Sequence, residues 1–349
     1  MLIIVLIRVD FKIGFLIFRF ENPHYITYFI FDDTFLYPIM VGNTDQGYLY
    51  SFGLLTTGVY VTLGIVFPAI FLFYGWLTVL EDIGYLPRLA MLADSLLAKI
   101  GLPGYAIIPT ILGMGCNVPG MTASRILDTK KQRFTLSTIL GIAVPCNAQI
   151  SVAIVVIGGM YGYSYLIPVV LVLVFLYAGI GALLNHLIPS GNLETIIDIP
   201  PYRRPILRNV ASKLMIRMKC FFFDAVPWVL IGILFVNILY LSGVFEILEN
   251  VIGPILVIWL GIPAEMVGAL VIGFLRKDIA IAFFYLIPDM SVWQAITGVV
   301  ILMIYFPCAA TFAMMLKEQG FRDTLKSTVL MLIIAFMVGG MLHAVSLLW

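Results

Sequence analysis

The sequence predicts an all-α, polytopic membrane protein with about seven transmembrane helices and two re-entrant or broken segments. Of its 349 residues 62% are hydrophobic and only 11% are charged, and the mean hydropathy is +1.08. Apolar stretches long enough to cross a bilayer recur along the chain. The same order of glycine, proline and cysteine landmarks also occurs twice, which predicts an internal repeat.

Changes in charge divide the chain into regions. The most basic loop is expected on the cytoplasmic side, and the acidic stretch within 21–53 on the opposite side. Residues 2–20 are apolar with basic interruptions, and whether they span the membrane or lie at its surface stays open. The predicted regions are an N-terminal hydrophobic segment and extracytoplasmic loop (1–53), a first repeat with its following span (54–188), a basic connector (189–219), and a second repeat with a C-terminal span (220–349).

Two apolar segments are predicted to be broken rather than straight. Residues 104–124 contain Pro109, Pro119 and four glycines. Irregular backbone of this kind is tolerated at membrane depth only where it is buried in protein or lines a cavity. The second segment, 264–287, carries three consecutive charges at 276–278 inside an apolar run, and charge at that depth usually marks a pathway or an internal ion pair.

The two repeats have matching landmarks. Gly84 and Gly101 flank the first amphipathic block, and Gly243 and Gly261 flank the second at nearly the same spacing. The loop charges orient the spans before the two blocks in opposite directions. This predicts an inverted-topology repeat, which in transporters places the substrate near the membrane midplane between discontinuous helices.

Three cysteines lie within apolar segments, each close to a proline. Cys116 and Cys146 are 30 residues apart, as are Asp278 and Cys308. Soft sulfur ligands suit transition metals such as iron, zinc or copper(I). The alternative interpretation is that the cysteines are small buried hydrophobic residues.

Polar groups beside the cysteines could complete an ion site. A proline removes one backbone donor and leaves an upstream carbonyl free. Neighbouring amide side chains could join that carbonyl and a thiol, although helix–helix hydrogen bonding would explain the amides equally well. Glu81 is either a carboxylate at the ion entrance or the polar end of a helix. The predicted metal ligands are Cys116, Cys146, Cys308, Asn117, Asn147, Gln149, Asp278 and Glu81.

Several functions have no support in the sequence. The net charge of +1 does not favour nucleic acid as a partner. The chain contains no GxxxxGK[ST], no HExxH and no nucleophile elbow, so we expect neither a nucleotide site in this chain nor an enzyme.

Longer motifs resemble the membrane part of FeoB, the ferrous iron transport protein B family, over roughly 54–349. EDIGYLPRLAMLADSLL, GLPG, GMGCNVPGMTASRILDTKKQR and PCNAQ are similar to its first Gate region. IPPYRRPILRNV is similar to its connector, and GFLRKDIAIAFF and YFPCAATFAMML to its second Gate. The resemblance implies a multi-pass protein of the cell membrane that takes up Fe²⁺, and it places the family's motif cysteines on Cys116, Cys146 and Cys308.

The sequence departs from the family pattern in three places. FeoB proteins usually begin with a cytoplasmic GTP-binding domain, whose P-loop is not found here. We therefore expect a separate cytoplasmic GTPase, a small accessory protein or another gradient to drive transport. The family's Ser-Cys-small-Ala-Arg is replaced by 145–149, Pro-Cys-Asn-Ala-Gln, and its Lys-Glu pair by Lys277 and Asp278.

Two other functions stay open at this stage. One is a transporter of nucleosides or other small organic molecules, since Gate-like segments also occur in that class. The other is a membrane partner of a separate GTPase that transports nothing itself and docks through the basic connector around 203–219. The sequence leaves open whether the cargo is Fe²⁺ or Mn²⁺ and whether the chain forms a homo-oligomer.

Overall fold

The computed structural model describes residues 67–187, 205–220 and 291–346, together with individual positions between 222 and 290. Within these residues every regular element is helical, as predicted. We number the described helices in chain order. They are α1 (Phe67–Ile83), α2 (Tyr85–Leu97), α3 (Ile107–Gly115), α4 (Asn117–Ala123), α5 (Lys130–Ile142), α6 (Asn147–Ala153), α7 (Leu166–Leu187), α8 (Leu207–Cys220), α9 (Val292–Ile304), α10 (Ala309–Gln319) and α11 (Phe321–Ser346).

The chain forms two compact units. Of the described helices, the first unit contains α1 and α8, which pack on each other. The backbone N–H of Ile206, just before α8, donates to Asp82 Oδ2 at 2.9 Å, and Arg217 donates to Thr78 Oγ1 at 2.8 Å. Polar bonds therefore tie the start and the later turns of α8 to the end of α1. The second unit contains α2 to α7 and α9 to α11.

The first broken segment is a tight helical hairpin. Helices α3 and α4 are separated only by Cys116 and pack closely on each other. A Cβ atom added at Gly120 would lie 2.9 Å from the Gly113 Cα and 3.0 Å from the Pro109 carbonyl oxygen. Only glycine allows the two arms to approach this closely. The predicted interruption of 104–124 is confirmed, with Cys116 at the tip of the hairpin.

Long apolar helices account for part of the predicted membrane domain. Within the described residues, 130–158, 163–187 and 321–346 are long and apolar enough to cross a bilayer. A fourth crossing is reached if 85–100 and 104–115, which meet at 103°, count as one broken span. The predicted span at 220–242 lies largely outside the described residues, and 2–20, whose crossing of the membrane was left open, lies wholly outside them, so the total of about seven stays a prediction.

Two pairs of described helices follow the internal repeat, at an offset of 162 residues. Helix α5 corresponds in both bounds to α9, and α6 begins 162 residues before α10. The same capping box precedes both long helices: Thr129 with Gln132 before α5, and Ser291 with Gln294 before α9. Such boxes satisfy two backbone donors at a helix start. The opposite membrane orientation of the repeats stays a prediction.

Both proline–cysteine segments are more strongly interrupted than the sequence suggests. The sequence treats 134–160 and 292–316 as single spans. The first is broken between α5 and α6, and the second between α9 and α10. Pro145 and Pro307 lie in these gaps, where a missing N–H and a ring clash with an upstream carbonyl end a regular helix.

Candidate functional site

Each of the three predicted cysteines occupies the first, capping position of a helix that follows a break. Cys116 precedes α4, Cys146 precedes α6, and Cys308 precedes α10. All three have extended backbone, with φ/ψ of −151°/134°, −77°/168° and −62°/157° respectively. The preceding helices end at the same breaks. Each cysteine thus lies at the N–H end of the helix that follows it, and N–H groups there stabilise thiolate sulfur.

The three thiols are neighbours within the second unit. All are free and partly buried. The sulfur of Cys116 is close enough to those of Cys146 and Cys308 for the ionised forms to interact electrostatically. The same holds between Cys146 and Cys308. The fold therefore brings together residues from three separate helix breaks, and their shared role as metal ligands stays a prediction.

Gln149 connects two of these breaks. Its Oε1 accepts the backbone N–H of Cys146 at 2.9 Å, and its Nε2 donates to the Met303 carbonyl at 2.8 Å. The Met303 carbonyl is available because residue 307, four positions on, is a proline without an N–H. The proline thus leaves this carbonyl without a helical donor, and the buried Gln149 side chain, which donates to it, ties the second repeat to the cysteine of the first.

Lys277 also reaches the Met303 carbonyl. Its Nζ lies 3.2 Å from that oxygen and 5.9 Å from the centre of the Tyr305 ring. The side chain is buried and lies within charge-interaction range of Cys146 and Cys308. Three charges at this depth are evident in the sequence, but Lys277 is not among the predicted metal ligands. The sequence feature that could have identified Lys277 is its position inside an apolar run, one residue before Asp278.

The predicted amide ligands differ in their surroundings. Asn117 is buried, and among the described residues its Oδ1 has no hydrogen-bond partner. Such an atom is costly to bury unless something else pairs with it. Asn147 is half-buried, and its backbone carbonyl accepts from Ser151 Oγ at 2.9 Å. Asp278 lies outside the described residues.

Glu81 belongs to the first unit and lies in a cluster of charged residues. It forms ion pairs with Arg217 and with Lys213, the latter at 3.1 Å. Burial by itself raises the pKa of Glu81. Arg217 and Lys213 together lower it by more than burial raises it, so the pKa of Glu81 lies below its ordinary value. The carboxylate is therefore already paired within its own unit.

The part of the chain that the structure describes contains no ready metal cage. Among the described residues, no group of three or more His, Cys, Asp or Glu side chains is placed to hold a metal ion together. The cysteines are thus neighbours at the range of charge interaction and do not form a closed coordination sphere.

Comparison with known proteins places this site in a family. The Gate family, described as nucleoside recognition, matches residues 63–161 and again 222–322, together more than half of the chain. The chain belongs to the Gate family. The first matched range contains α5 and α6, the second contains α9 and α10, and together they contain the three predicted cysteines.

Relatives of this Gate protein carry the name Fe(2+) transporter FeoB. One from Methanocaldococcus jannaschii is 27% identical, over 87% of this chain and 51% of its own length. One from Staphylococcus aureus (strain COL) is 26% identical, over 76% of this chain and 44% of its own. One from Legionella pneumophila (strain Lens) is 28% identical, over 45% of this chain and 21% of its own.

The chain fits the membrane portion of FeoB, as its motifs indicated. It spans about half the length, or less, of the curated relatives that it matches. No solved structure matches it.

Proposed function

We propose that this Gate protein carries ferrous iron across the cell membrane as a multi-pass transporter and not as an enzyme. The observation that supports this most is the convergence of three cysteines, each at a helix break, within one unit. Discontinuous helices near the midplane are where transporters bind ions, and sulfur is a ligand suited to iron. Relatives named as Fe(2+) transporters support the same cargo.

The ion moves along a path lined by soft and polar ligands. In this proposal Fe²⁺ exchanges part of its water shell for the Cys116 sulfur and the unpaired Asn117 Oδ1. It then passes toward Cys146 and Cys308. Asn147 and Asp278 contribute oxygen atoms along the way, and Gln149 holds Cys146 in place. A thiol loses its proton when it binds a metal, so each binding event releases a proton.

Alternating access follows from the repeat. Rocking of one repeat against the other exposes the same path to each side of the membrane in turn. The energy for this movement comes from a separate cytoplasmic GTPase, a small accessory protein or an ion gradient, with the basic connector as the docking surface for a protein partner. Glu81, which is paired with Arg217 and Lys213, helps to fix α1 to α8 rather than to bind the ion.

The cargo itself is the first thing to test. Purified chain in proteoliposomes would be given radiolabelled Fe²⁺ under anaerobic conditions, Mn²⁺, or a labelled nucleoside, with empty liposomes as the control. We expect uptake of Fe²⁺ that an external chelator abolishes. Nucleoside uptake that is unaffected by the chelator, without metal uptake, would contradict the proposal.

A second candidate cargo is a nucleoside or a similar small organic molecule. The description of the Gate family as nucleoside recognition favours it. Under this alternative the Asn117 and Gln149 amides would bind a base or sugar, and the thiols would be packing groups. The same uptake experiment separates the two functions.

A further inference from the structure

A bidentate ion pair joins the two repeats at the ends of α4 and α10. Arg125, just after α4, donates from Nε to Glu318 Oε2 and from Nη2 to Glu318 Oε1, both at 2.6 Å. Two parallel bonds between a guanidinium and a carboxylate fix the relative position of the groups more strictly than a single contact does. Arg125 lies in the first range matched by the Gate family and Glu318 in the second.

Both partners of this ion pair are firmly connected to their helices. Glu318 lies in the last turn of α10. Arg125 lies in the 3₁₀ turn Ser124–Ile126, which follows α4 without an intervening loop. The buried Ser124 hydroxyl donates to the Met121 carbonyl at 2.6 Å and so ties this turn to α4. A movement of either helix along its axis therefore also moves its half of the ion pair.

The opposite ends of the same two helices carry thiols. Cys116 caps α4 and Cys308 caps α10, and their sulfurs are close enough to interact electrostatically. The two helices also pack on each other. Since they meet both at the thiols and at the ion pair, α4 and α10 are parallel.

The thiols and the ion pair lie at matching distances along the two helices. Arg125 follows Cys116 by nine residues, and Glu318 follows Cys308 by ten. At the rise of an α-helix each interval is about 15 Å long. A link at one end of such a pair sets how far one helix is shifted along the other, and the same shift appears at the other end.

The surroundings of Glu318 favour a pair that keeps its geometry. The Glu318 side chain is only 9% exposed, although that of Arg125 reaches solvent. Water therefore screens the carboxylate little, and loss of a bidentate partner is costly for a charge in such a place. The pair between Lys326 and Asp323 differs, because both side chains are exposed and both belong to α11. Exposed pairs of this kind contribute little.

We propose that Arg125 and Glu318 are positioning residues that set the register of α4 against α10 and, through it, the spacing of the two sulfurs. The inference rests on the proposed function for the role of those sulfurs as ligands. Each helix is hydrogen-bonded along its length and moves as a unit. An intact ion pair therefore lets Cys116 and Cys308 face the same passing ion, whereas a shift of one helix separates them.

Reversal and exchange of the two charges test the pair. Arg125→Glu and Glu318→Arg each replace an attraction by repulsion between like charges, and the double variant restores an opposite pair in exchanged order. Arg125→Lys keeps the charge but loses the bidentate geometry. Asp323→Lys is the matched control, because it disrupts an exposed ion pair within a single helix.

The spacing of the thiols can be measured by cross-linking. Cys146→Ser and Cys220→Ser would leave Cys116 and Cys308 as the two thiols of the full chain. Each variant in this background would be treated in detergent with a short or a long bifunctional thiol reagent and analysed by mass spectrometry. Equilibrium dialysis against Co²⁺, which takes similar ligands, would measure metal affinity in chains with all four cysteines. Size-exclusion chromatography would confirm that each variant is folded.

We expect the short reagent to cross-link the parent, the Asp323→Lys control and the double variant. The two charge-reversal variants should be cross-linked only by the long reagent and should lose Co²⁺ affinity, with an intermediate result for Arg125→Lys.

Cross-linking of the charge-reversal variants by the short reagent as in the parent would overturn the proposal, as would a parent that neither reagent cross-links. A double variant that behaves like the single ones would also overturn it, because a loss that ignores the charge pairing reflects general damage to the fold. The expected cross-linking, without any Co²⁺ bound by the wild type, would support the positioning role and contradict the proposed function.

Discussion

At the scale of single residues, Gln149 shows most directly how the two repeats are connected at the site. Its amide uses both ends, accepting from the Cys146 backbone and donating to the Met303 carbonyl. The sequence predicted that an amide would stand beside the cysteine and that a proline would free a carbonyl. It could not predict that they would meet, because Met303 lies 154 residues further along the chain.

Replacing Gln149 by leucine should weaken metal binding without removing a thiol. Loss of the bridge frees Cys146 to rotate away. The Cys146 N–H and the Met303 carbonyl, both buried, then each lose the hydrogen bond that Gln149 makes to them. Outer partners of metal ligands typically contribute about 10–100-fold in affinity, and we expect a loss in that range. Co²⁺ titration of the purified chain would measure it.

The Gln149→Glu variant is the matched control for this prediction. It keeps an oxygen acceptor for the Cys146 N–H but loses the donor to the Met303 carbonyl. An intermediate affinity would fit a bridging role for the amide. If Gln149→Leu bound Co²⁺ as tightly as the wild type, the bridge would have no part in positioning the site.

At the scale of the elements, breaks in helices create the site. The sequence treats both Pro-Cys segments as single spans, but the structure breaks each of them, because proline cannot continue a helix's hydrogen bonding. The closeness of the hairpin arms at Gly113 and Gly120 was harder to foresee, since many glycines in membrane helices mark packing rather than a turn. The orientation of Lys277 also depends on tertiary packing, which spacing alone does not encode.

Pro307→Ala should extend helix α9 toward α10 and impair transport. Alanine restores an N–H that can bond the Met303 carbonyl, and so it competes with Gln149 and Lys277 for the same oxygen. We expect Fe²⁺ uptake to fall by about 10-fold or more, as for loss of an outer ligand. Uptake into proteoliposomes at matched protein content would measure this effect.

Pro168→Ala provides the control for the proline prediction. Pro168 lies in the first turn of α7, where a backbone N–H has no intrahelical partner to lose. We expect uptake by this variant to match the wild type. An equal loss of uptake in both variants would show that the effect of Pro307→Ala has nothing to do with the freed carbonyl.

Gly120→Ala should open the α3–α4 hairpin. The added Cβ would press on backbone atoms of Gly113 and Pro109 at 2.9–3.0 Å, and overpacking of this kind typically costs about 1–3 kcal/mol. We expect a lower thermal unfolding midpoint and faster labelling of Cys116 by a maleimide. Gly179→Ala is the matched control, since an added Cβ there meets no atom within 4 Å.

At the scale of the whole molecule, the repeat was the feature best predicted from the sequence. Its landmarks anticipated two family matches and two sets of helices related by one offset. The family resemblance was also correct. The ion pairs of Glu81 with Arg217 and Lys213 could not be derived, because a carboxylate at the end of a span looks the same in sequence whatever side chains it contacts.

We propose that Fe²⁺ crosses the membrane along a path lined by the three thiols, and one comparison of variants tests this most directly. Anaerobic Fe²⁺ flux into proteoliposomes would be measured for the wild type, Cys116→Ser and Cys220→Ser, each with and without a membrane potential. Cys220 is the matched control because it lies in α8, in the other unit. The account predicts that flux falls at least about 10-fold in Cys116→Ser and persists in Cys220→Ser. Equal Fe²⁺ flux in all three proteins would contradict it.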